Sequence, residues 1–178
     1  MSNQYFSFAY DPIRQGYDSN TWSTISGAPS VVSNVLSLQT ASIIHFADIL
    51  HGDATFSINI SEPAVGDDIE FGFYDINQLA GLGFRITDDA LFVDTFFGSE
   101  ITSVAIDWDT AWSNEYTDFR IKWEAGRGVF YINGIERVVT SDISVPGNAL
   151  NLYVSSDSTN PLSLKYINVK GVQNLTWS

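Results

Sequence analysis

The segment from Asp107 to Asp118 concentrates residue types that bind ligands. Its twelve residues include two tryptophans, one tyrosine and four carboxylates. An accessible tryptophan gives a sugar ring a flat surface to stack on, and buried aromatic anchors dominate interface energies. We expect Trp108, Trp112 and Tyr116 to contact a ligand or partner. In the alternative interpretation, the tryptophans turn inward and close one end of the fold.

The same segment offers oxygen ligands for a metal. Asp107, Asp109 and Asp118 are candidate ligands for calcium, which takes 6–8 oxygen atoms. The spacing does not match the EF-hand pattern, because its glycine and its final glutamate are missing. Calcium is therefore an alternative to partner contact and to a packed loop for this segment, and no other cofactor is expected.

Short strands must position these residues. About fourteen strand-like runs are separated by turn residues with no helical period, and several of these runs alternate apolar and polar residues. Asn133-Gly134 is a strong signal for a two-residue hairpin. The pattern predicts an all-β, two-sheet antiparallel sandwich in a single domain spanning residues 1–178. The predicted core residues are Phe71, Phe73, Phe119, Ile121, Trp123, Leu150 and Leu152.

Polar residues alternate with this core and form a candidate ligand surface. They are Glu70, Arg85, Arg120, Lys122, Asn151 and Tyr153. Such a mixture of planar hydrogen-bonding groups and an aromatic ring suits sugar recognition. It is also the composition of any solvated or ion-paired sheet face.

The stretch from Asp118 to Val139 resembles the concanavalin A-like lectin/glucanase superfamily. It contains a strand with an inward Trp123, a short turn, and a hairpin with Phe130-Tyr131 before Asn133-Gly134. Residues 162–169 are similar to the last strand of that superfamily, and residues 68–73 to a central strand. The resemblance implies a jelly roll with one convex and one concave sheet. It also implies a glycan ligand on the concave sheet or its rim loops.

Laminarinase-type members of this superfamily carry Glu-x-Asp-x-Glu on one concave strand, where two of the carboxylates hydrolyse glycosidic bonds. The matching positions here are Asp68, Glu70 and Gly72. Because the set is incomplete, we expect no glycoside hydrolysis and no other enzyme activity. The only histidines, His45 and His51, lack metal-ligand spacing, and the sequence predicts no nucleophile triad.

Charge excludes further classes of function. The chain carries 21 acidic and 8 basic residues, a net charge of −13, so we expect no nucleic-acid partner. No apolar run is long enough to insert into a membrane. The chain has no cysteine, and its first residues show no signal peptide. The acidic composition and the absence of cysteine fit an extracellular, virion or cell-surface setting.

Together these observations predict a non-catalytic, lectin-like carbohydrate-binding domain at a cell or particle surface, with a glycan or polysaccharide as its partner. The first alternative is a structural jelly-roll subunit of a virion, fibre or surface layer, which would self-associate. The second alternative is a laminarinase-like glycoside hydrolase.

Overall fold

The computed structural model describes residues 2–11, 22–62, 64–88 and 90–175. These residues form twelve β-strands and one short 3-10 helix, Thr110–Ser113. The strands are β1 (Ser2–Tyr10), β2 (Ser23–Ser26), β3 (Ser30–Val32), β4 (Val35–Asn59), β5 (Asp68–Tyr74), β6 (Ala80–Thr87), β7 (Ala90–Phe97), β8 (Glu100–Ile106), β9 (Thr117–Glu124), β10 (Arg127–Ile132), β11 (Ile135–Thr140) and β12 (Leu150–Leu175). No helix in this described part of the chain is long and apolar enough to cross a membrane.

Local sequence explains the meander of β9, β10 and β11. Every second residue of β9 is buried, as a strand with one packed face requires. The turn before β10 contains Gly126 at φ 68°, and the turn before β11 contains Asn133 and Gly134 at φ 49° and 77°. Two successive residues with positive φ are typical of the type I′ hairpin that Asn-Gly predicts.

The twelve strands share one hydrogen-bonded network with the order β11-β10-β9-β4-β12-β5-β6-β7-β8. β1 pairs with β12, while β2 and β3 pair with β4. Tyr153 lies opposite Ile44, and Lys170 lies opposite Asp53. Within each of these stretches the residue numbers fall along β4 as they rise along β12, which is the register of antiparallel strands.

β4 and β12 are 25 and 26 residues long and bend from one layer into another. We call one layer the concave sheet, the name that the superfamily resemblance gives it. It contains β2, β5–β8, residues 40–46 of β4 and residues 150–157 of β12. The convex sheet contains β1, β9–β11, residues 49–59 of β4 and residues 162–175 of β12. The bend in β4 includes Asp48, which has φ 46°.

The core lies between these sheets and confirms the predicted set. All seven predicted core residues are at most 1% exposed. Phe71 of β5 lies 5.1 Å from Phe119 of β9, and Phe73 lies 5.4 Å from Trp123, measured between ring centroids. β5 and β9 are separated by two strands in the sheet order, so these contacts require two facing layers. Burial of each large apolar side chain contributes about 1.5–3 kcal/mol to stability.

The strand count differs from the expectation at β4. Sequence patterning predicts separate strands at 31–38, 42–46 and 54–60, whereas most of these residues lie in the single long strand β4. β4 pairs with β12 on both sides of the bend. The hydrogen-bonded ladder between the two strands therefore continues through the residues where the alternation of apolar and polar side chains is interrupted.

Candidate functional site

A row of polar side chains crosses the outer face of the concave sheet. Glu70 of β5 lies opposite Arg85 of β6 on one side and Ser155 of β12 on the other. The Arg85 guanidinium donates from Nε and Nη2 to the Asp94 carboxylate on β7, and its Nη2 also donates to Ser103 Oγ at 3.4 Å. Its charged carbon lies 4.5 Å from the centre of the Phe92 ring. Arg85 therefore has a fixed orientation beside Glu70.

Glu70 is the carboxylate that this environment perturbs. Partial burial raises its pKa above the ordinary value, and the negative charges of Asp68 and Asp94 add to the shift, while Arg85 opposes it. Desolvation and like charges both disfavour an ionised carboxylate. Glu70 therefore retains its proton to a higher pH than a solvated glutamate.

Tyr74 fills the face beyond Glu70. It is 2% exposed and lies 5.3 Å from Tyr153 and 5.9 Å from Phe96, between ring centroids. A Cβ atom added to Gly83 would lie 2.3 Å from the Tyr74 hydroxyl oxygen, and one added to Gly81 would lie 2.6 Å from the Tyr74 ring. The glycines of β6 thus provide the space in which Tyr74 lies.

A groove of about 310 Å³ opens at Ser155, the cross-strand neighbour of Glu70. It is lined by Ser26, Thr40, Ala41, Ser42, Asp68, Ser155, Ser156 and Asp157. Asp68 and Asp157 lie directly opposite each other on neighbouring strands. Except for Ala41, the side chains that line this groove carry hydroxyl or carboxylate groups, which hydrogen-bond readily to sugar hydroxyls.

Asn151 and Tyr153 belong to the concave sheet as predicted, but both are 7% exposed. Asn151 Oδ1 accepts hydrogen bonds from the backbone amides of Ala47 and Asp48 at 3.1 and 3.3 Å, so it supports the bend in β4. The Tyr153 hydroxyl accepts a hydrogen bond from Gln78 Nε2 at 3.3 Å. Of the predicted residues of this face, Glu70 and Arg85 retain the accessible polar groups.

Arg120 and Lys122 do not lie on this face, and the prediction that they share it is wrong. Both belong to β9 of the convex sheet. Arg120 donates two hydrogen bonds to the Asp53 carboxylate, at 2.7 and 2.6 Å. Lys122 Nζ lies 2.9 Å from Glu124 Oε1. Alternation predicts which side of a strand faces the core, but it does not predict the layer to which the strand belongs.

The Asp107–Asp118 segment closes the end of the sandwich. Trp112 is 4% exposed and packs on Phe119 of the core, with 6.4 Å between ring centroids. Trp108 is partly buried, lies 5.3 Å from Trp112, and donates a hydrogen bond from Nε1 to Ser113 Oγ at 3.1 Å. The placement of the tryptophans matches the inward interpretation, and the prediction of an exposed contact surface is corrected for Trp112.

Tyr116 lies at the edge of this segment, where its ring centre is 5.5 Å from the Lys165 ammonium nitrogen. The candidate calcium ligands have separate roles. Asp109 caps the 3-10 helix by accepting a hydrogen bond from the Ala111 amide, and Asp118 accepts one from the Tyr166 hydroxyl at 2.8 Å. Among the described residues, no group of three or more metal-ligating side chains comes together, so Asp107 does not join them in a cluster.

Sequence reasoning missed Tyr74 and Asp94. The sequence contains a signal for each. Tyr74 follows Glu70 by four residues, so alternation places both on the same face of β5, and Asp94 is the only charged residue of β7. The cross-strand register that places Asp94 within reach of Arg85 is not readable from either strand by itself.

No family model and no curated protein sequence matches the chain. Its structure is similar to a prokaryotic β-1,3-1,4-glucanase (lichenase) derived from a mouse hindgut metagenome, with a TM-score of 0.75 and 11% identity over 92% of this chain and 98% of the other. The catalytic domain of a laminarinase from Thermotoga petrophila RKU-1 has a TM-score of 0.72 and 12% identity, over 97% of this chain and 99% of the other. The carbohydrate recognition domain of Emp47p has a TM-score of 0.72 and 11% identity, over 93% of this chain and 94% of the other.

These similarities confirm the fold expected from residues 118–139. The chain has the antiparallel jelly-roll fold of the concanavalin A-like lectins and glucanases. Proteins with this fold in the comparison include both hydrolases and a carbohydrate recognition domain.

The comparison also corrects the expectation that the chain is not an enzyme. Most of the similar structures are enzymes that act on polysaccharides, among them the lichenase, the laminarinase, a further β-glucanase and an agarase. The incomplete Glu-x-Asp-x-Glu motif therefore does not exclude catalysis.

Proposed function

We propose that this chain is a carbohydrate-recognition domain that binds a polysaccharide across the concave sheet, at a cell or particle surface. The observation that carries the proposal is the row of Ser155, Glu70 and Arg85 across neighbouring strands, in which Ser155 lines an open groove. Arg85 is oriented by Asp94, so little side-chain freedom is lost when it binds a sugar hydroxyl. The fold supports the proposal, because the similar structures include carbohydrate-binding and carbohydrate-degrading proteins.

The binding test uses soluble polysaccharides and two arginine variants. We expect affinity electrophoresis in mixed-linkage β-glucan, laminarin or agarose to retard the wild-type protein. Arg85→Gln should reduce the retardation, because it removes the oriented cation next to Glu70. Arg127→Gln is the control, since Arg127 is exposed at the start of β10 on the convex sheet. A folded protein that binds none of these polysaccharides, or an equal effect of both variants, would contradict the proposal.

Glycoside hydrolysis is a second candidate function, favoured by the raised pKa of Glu70. A general acid works best when it still holds its proton near the working pH. In this candidate reaction Glu70 gives its proton to the glycosidic oxygen. The bond between that oxygen and the anomeric carbon breaks, and Asp68, two residues away on the same face, has one of two roles. It either attacks the anomeric carbon, forming an ester that water then hydrolyses, or takes a proton from a water molecule that attacks that carbon directly. Two strand residues separated by one other lie roughly 6.7 Å apart, which is compatible with a carboxylate pair.

Release of reducing ends separates hydrolysis from binding. If Glu70 is the proton donor, wild-type protein should release reducing sugar from one of the three polysaccharides, and Glu70→Gln should stop the release while retaining binding. Asp68→Asn should also stop it. Activity that persists in Glu70→Gln would assign catalysis elsewhere, and no release between about pH 4 and pH 8 would remove this candidate.

A further inference from the structure

The basic residues of this acidic chain are unevenly distributed. The sequence has eight basic residues, and six of them lie on strands of the convex sheet. These are Arg120, Lys122, Arg127, Arg137, Lys165 and Lys170. The same strand segments contain four acidic residues, Asp53, Asp118, Glu124 and Glu136. The convex sheet is therefore net positive in a protein of net charge −13.

A groove of about 450 Å³ crosses this sheet. Its lining consists of Ser7, Phe8, Ala9, Asp53, Thr55, Arg120, Asn168, Val169 and Lys170. The strand registers place Ala9, Asn168, Thr55 and Arg120 in one row, and Ser7, Lys170, Asp53 and Lys122 in the next. The small side chains of Ser7 and Ala9 leave space beside the longer polar ones.

Two neighbours fix the orientation of the Arg120 guanidinium. Asp53 accepts hydrogen bonds from Arg120 Nε and Nη2 at 2.7 and 2.6 Å, and the guanidinium carbon of Arg120 lies 5.1 Å from the centre of the Tyr131 ring. Among the residues that the structure describes, no hydrogen bond or ion pair occupies Nη1. Because the guanidinium is already immobilised, binding through it loses little side-chain entropy.

Lys170 supplies a positive charge to the groove, because the charge of Arg120 is paired with Asp53. It lies opposite Asp53 in the strand register and is exposed. Within the described residues its ammonium makes no ion pair, because the Asp53 carboxylate is held by Arg120. Asn168 and Thr55 add an amide and a hydroxyl to the same groove. The groove thus combines a cation with neutral hydrogen-bonding groups on a small-residue surface.

The geometry points to a second saccharide site on the convex sheet, for a glycan that carries a sulfate or a carboxylate group. Lys170 and Arg120 Nη1 contact the anionic group, and Asn168, Thr55 and Asp53 bind the hydroxyls. The site lies on the sheet opposite the proposed concave groove, so it does not depend on that proposal. An anionic ligand is favoured because the acidic remainder of the molecule repels it from other surfaces.

The test compares a κ-carrageenan tetrasaccharide with the same tetrasaccharide after removal of its sulfate groups. Calorimetry at low salt should show tighter binding of the sulfated probe to wild-type protein. Lys170→Gln should weaken that binding about three- to ten-fold, the range between an exposed ion pair and a charge-assisted hydrogen bond. Raising NaCl from about 50 to about 300 mM should weaken it further.

Arg127→Gln is the matched control, because it removes one positive charge from the same sheet outside the groove. We expect it to change the affinity for the sulfated probe less than two-fold, which corresponds to a binding free energy difference of at most about 0.4 kcal/mol. Equal effects of Lys170→Gln and Arg127→Gln would overturn the site in favour of general charge attraction. Loss of sulfated-probe binding in Arg85→Gln but not in Lys170→Gln would place the ligand on the concave sheet and overturn it too.

Self-association is the other outcome that would overturn the proposal. An acidic surface of a second copy would also be attracted to the convex sheet. Sedimentation analysis would then show salt-sensitive oligomers that Lys170→Gln dissociates, without preferential binding of the sulfated probe. A monomer that prefers the sulfated probe supports the saccharide site.

Discussion

The tertiary environment of Glu70 changes its chemistry in a way that its sequence neighbours do not reveal. In the sequence it is one of 21 acidic residues. In the folded chain it is half-buried next to Asp68, Arg85 and Asp94, and burial is the largest cause of its raised pKa. The charge of Arg85 only partly compensates, because Asp94 already pairs with it.

The raised pKa predicts how Glu70 affects stability as the pH changes. Below the unfolded pKa of about 4.3 the carboxyl is protonated in both states and its ionisation contributes nothing. As the pH rises through that value towards the higher folded pKa, the unfolded state gains more from ionisation, so the folded state loses stability. Glu70→Gln removes this penalty.

We therefore expect the melting temperature of Glu70→Gln, relative to wild type, to increase between pH 3.5 and pH 7.5. Differential scanning calorimetry at several pH values measures this difference. Glu100→Gln, at an exposed position on β8, is the control and should show a smaller pH dependence. A difference that stays constant, or that falls as the pH rises, would mean that ionised Glu70 is stabilised in the folded protein.

At the scale of elements, the segment between β8 and β9 is a closing loop. Its 3-10 helix begins after Asp109, which caps it, and the only buried residue of that helix is Trp112. The Arg137 guanidinium carbon lies 5.6 Å from the centre of the Trp112 ring, on the side contributed by β11. This loop therefore stabilises one end of the sandwich, and its carboxylates and tryptophans are held by different neighbours.

Trp112→Ala tests the closing role. Truncation of a buried tryptophan costs roughly 3–5 kcal/mol, and about 1 kcal/mol shifts the melting temperature of a domain of this size by roughly 2–4 °C. We expect a decrease of about 6–20 °C in a thermal melt. Tyr5→Ala is the control, because Tyr5 is 92% exposed and should change stability by less than about 0.5 kcal/mol. A decrease no larger than that of the control would show that Trp112 is not part of the core.

At the scale of the whole molecule, charge opposes compactness. A net charge of −13 repels itself, while the ion pairs Arg85–Asp94 and Arg120–Asp53 are short-range attractions. Salt screens the long-range repulsion between exposed charges more than it screens these partly buried pairs. The balance between the two decides the sign of the salt effect on stability.

We expect the melting temperature at pH 7 to rise between about 10 and 100 mM NaCl, where the Debye length falls from about 30 to about 10 Å. The rise should be smaller at pH 5, which is closer to the sequence pI of about 4.1, because fewer net charges remain to be screened. Scanning fluorimetry measures both series. An equal rise at both pH values would indicate a general salt effect, and a fall would show that the ion pairs dominate.

The sequence by itself determined the fold class and the facing of side chains. Alternation identified Phe71, Phe119 and Trp123 as core, and all three are buried. Asn133-Gly134 identified the hairpin between β10 and β11. These features are local: a strand has a period of two, and a two-residue turn selects residues that tolerate positive φ. Local chemistry is sufficient to decide them.

The tertiary structure decided which surfaces these residues form. Arg120 and Glu70 have the same alternating pattern, but the bends in β4 and β12 place their strands in opposite sheets. Trp112 lies in a polar segment, yet contact with Phe119 turns it inward. Layer assignment and cross-strand register depend on contacts between residues far apart in the chain. A pattern within one strand carries no information about the partner that the strand will meet.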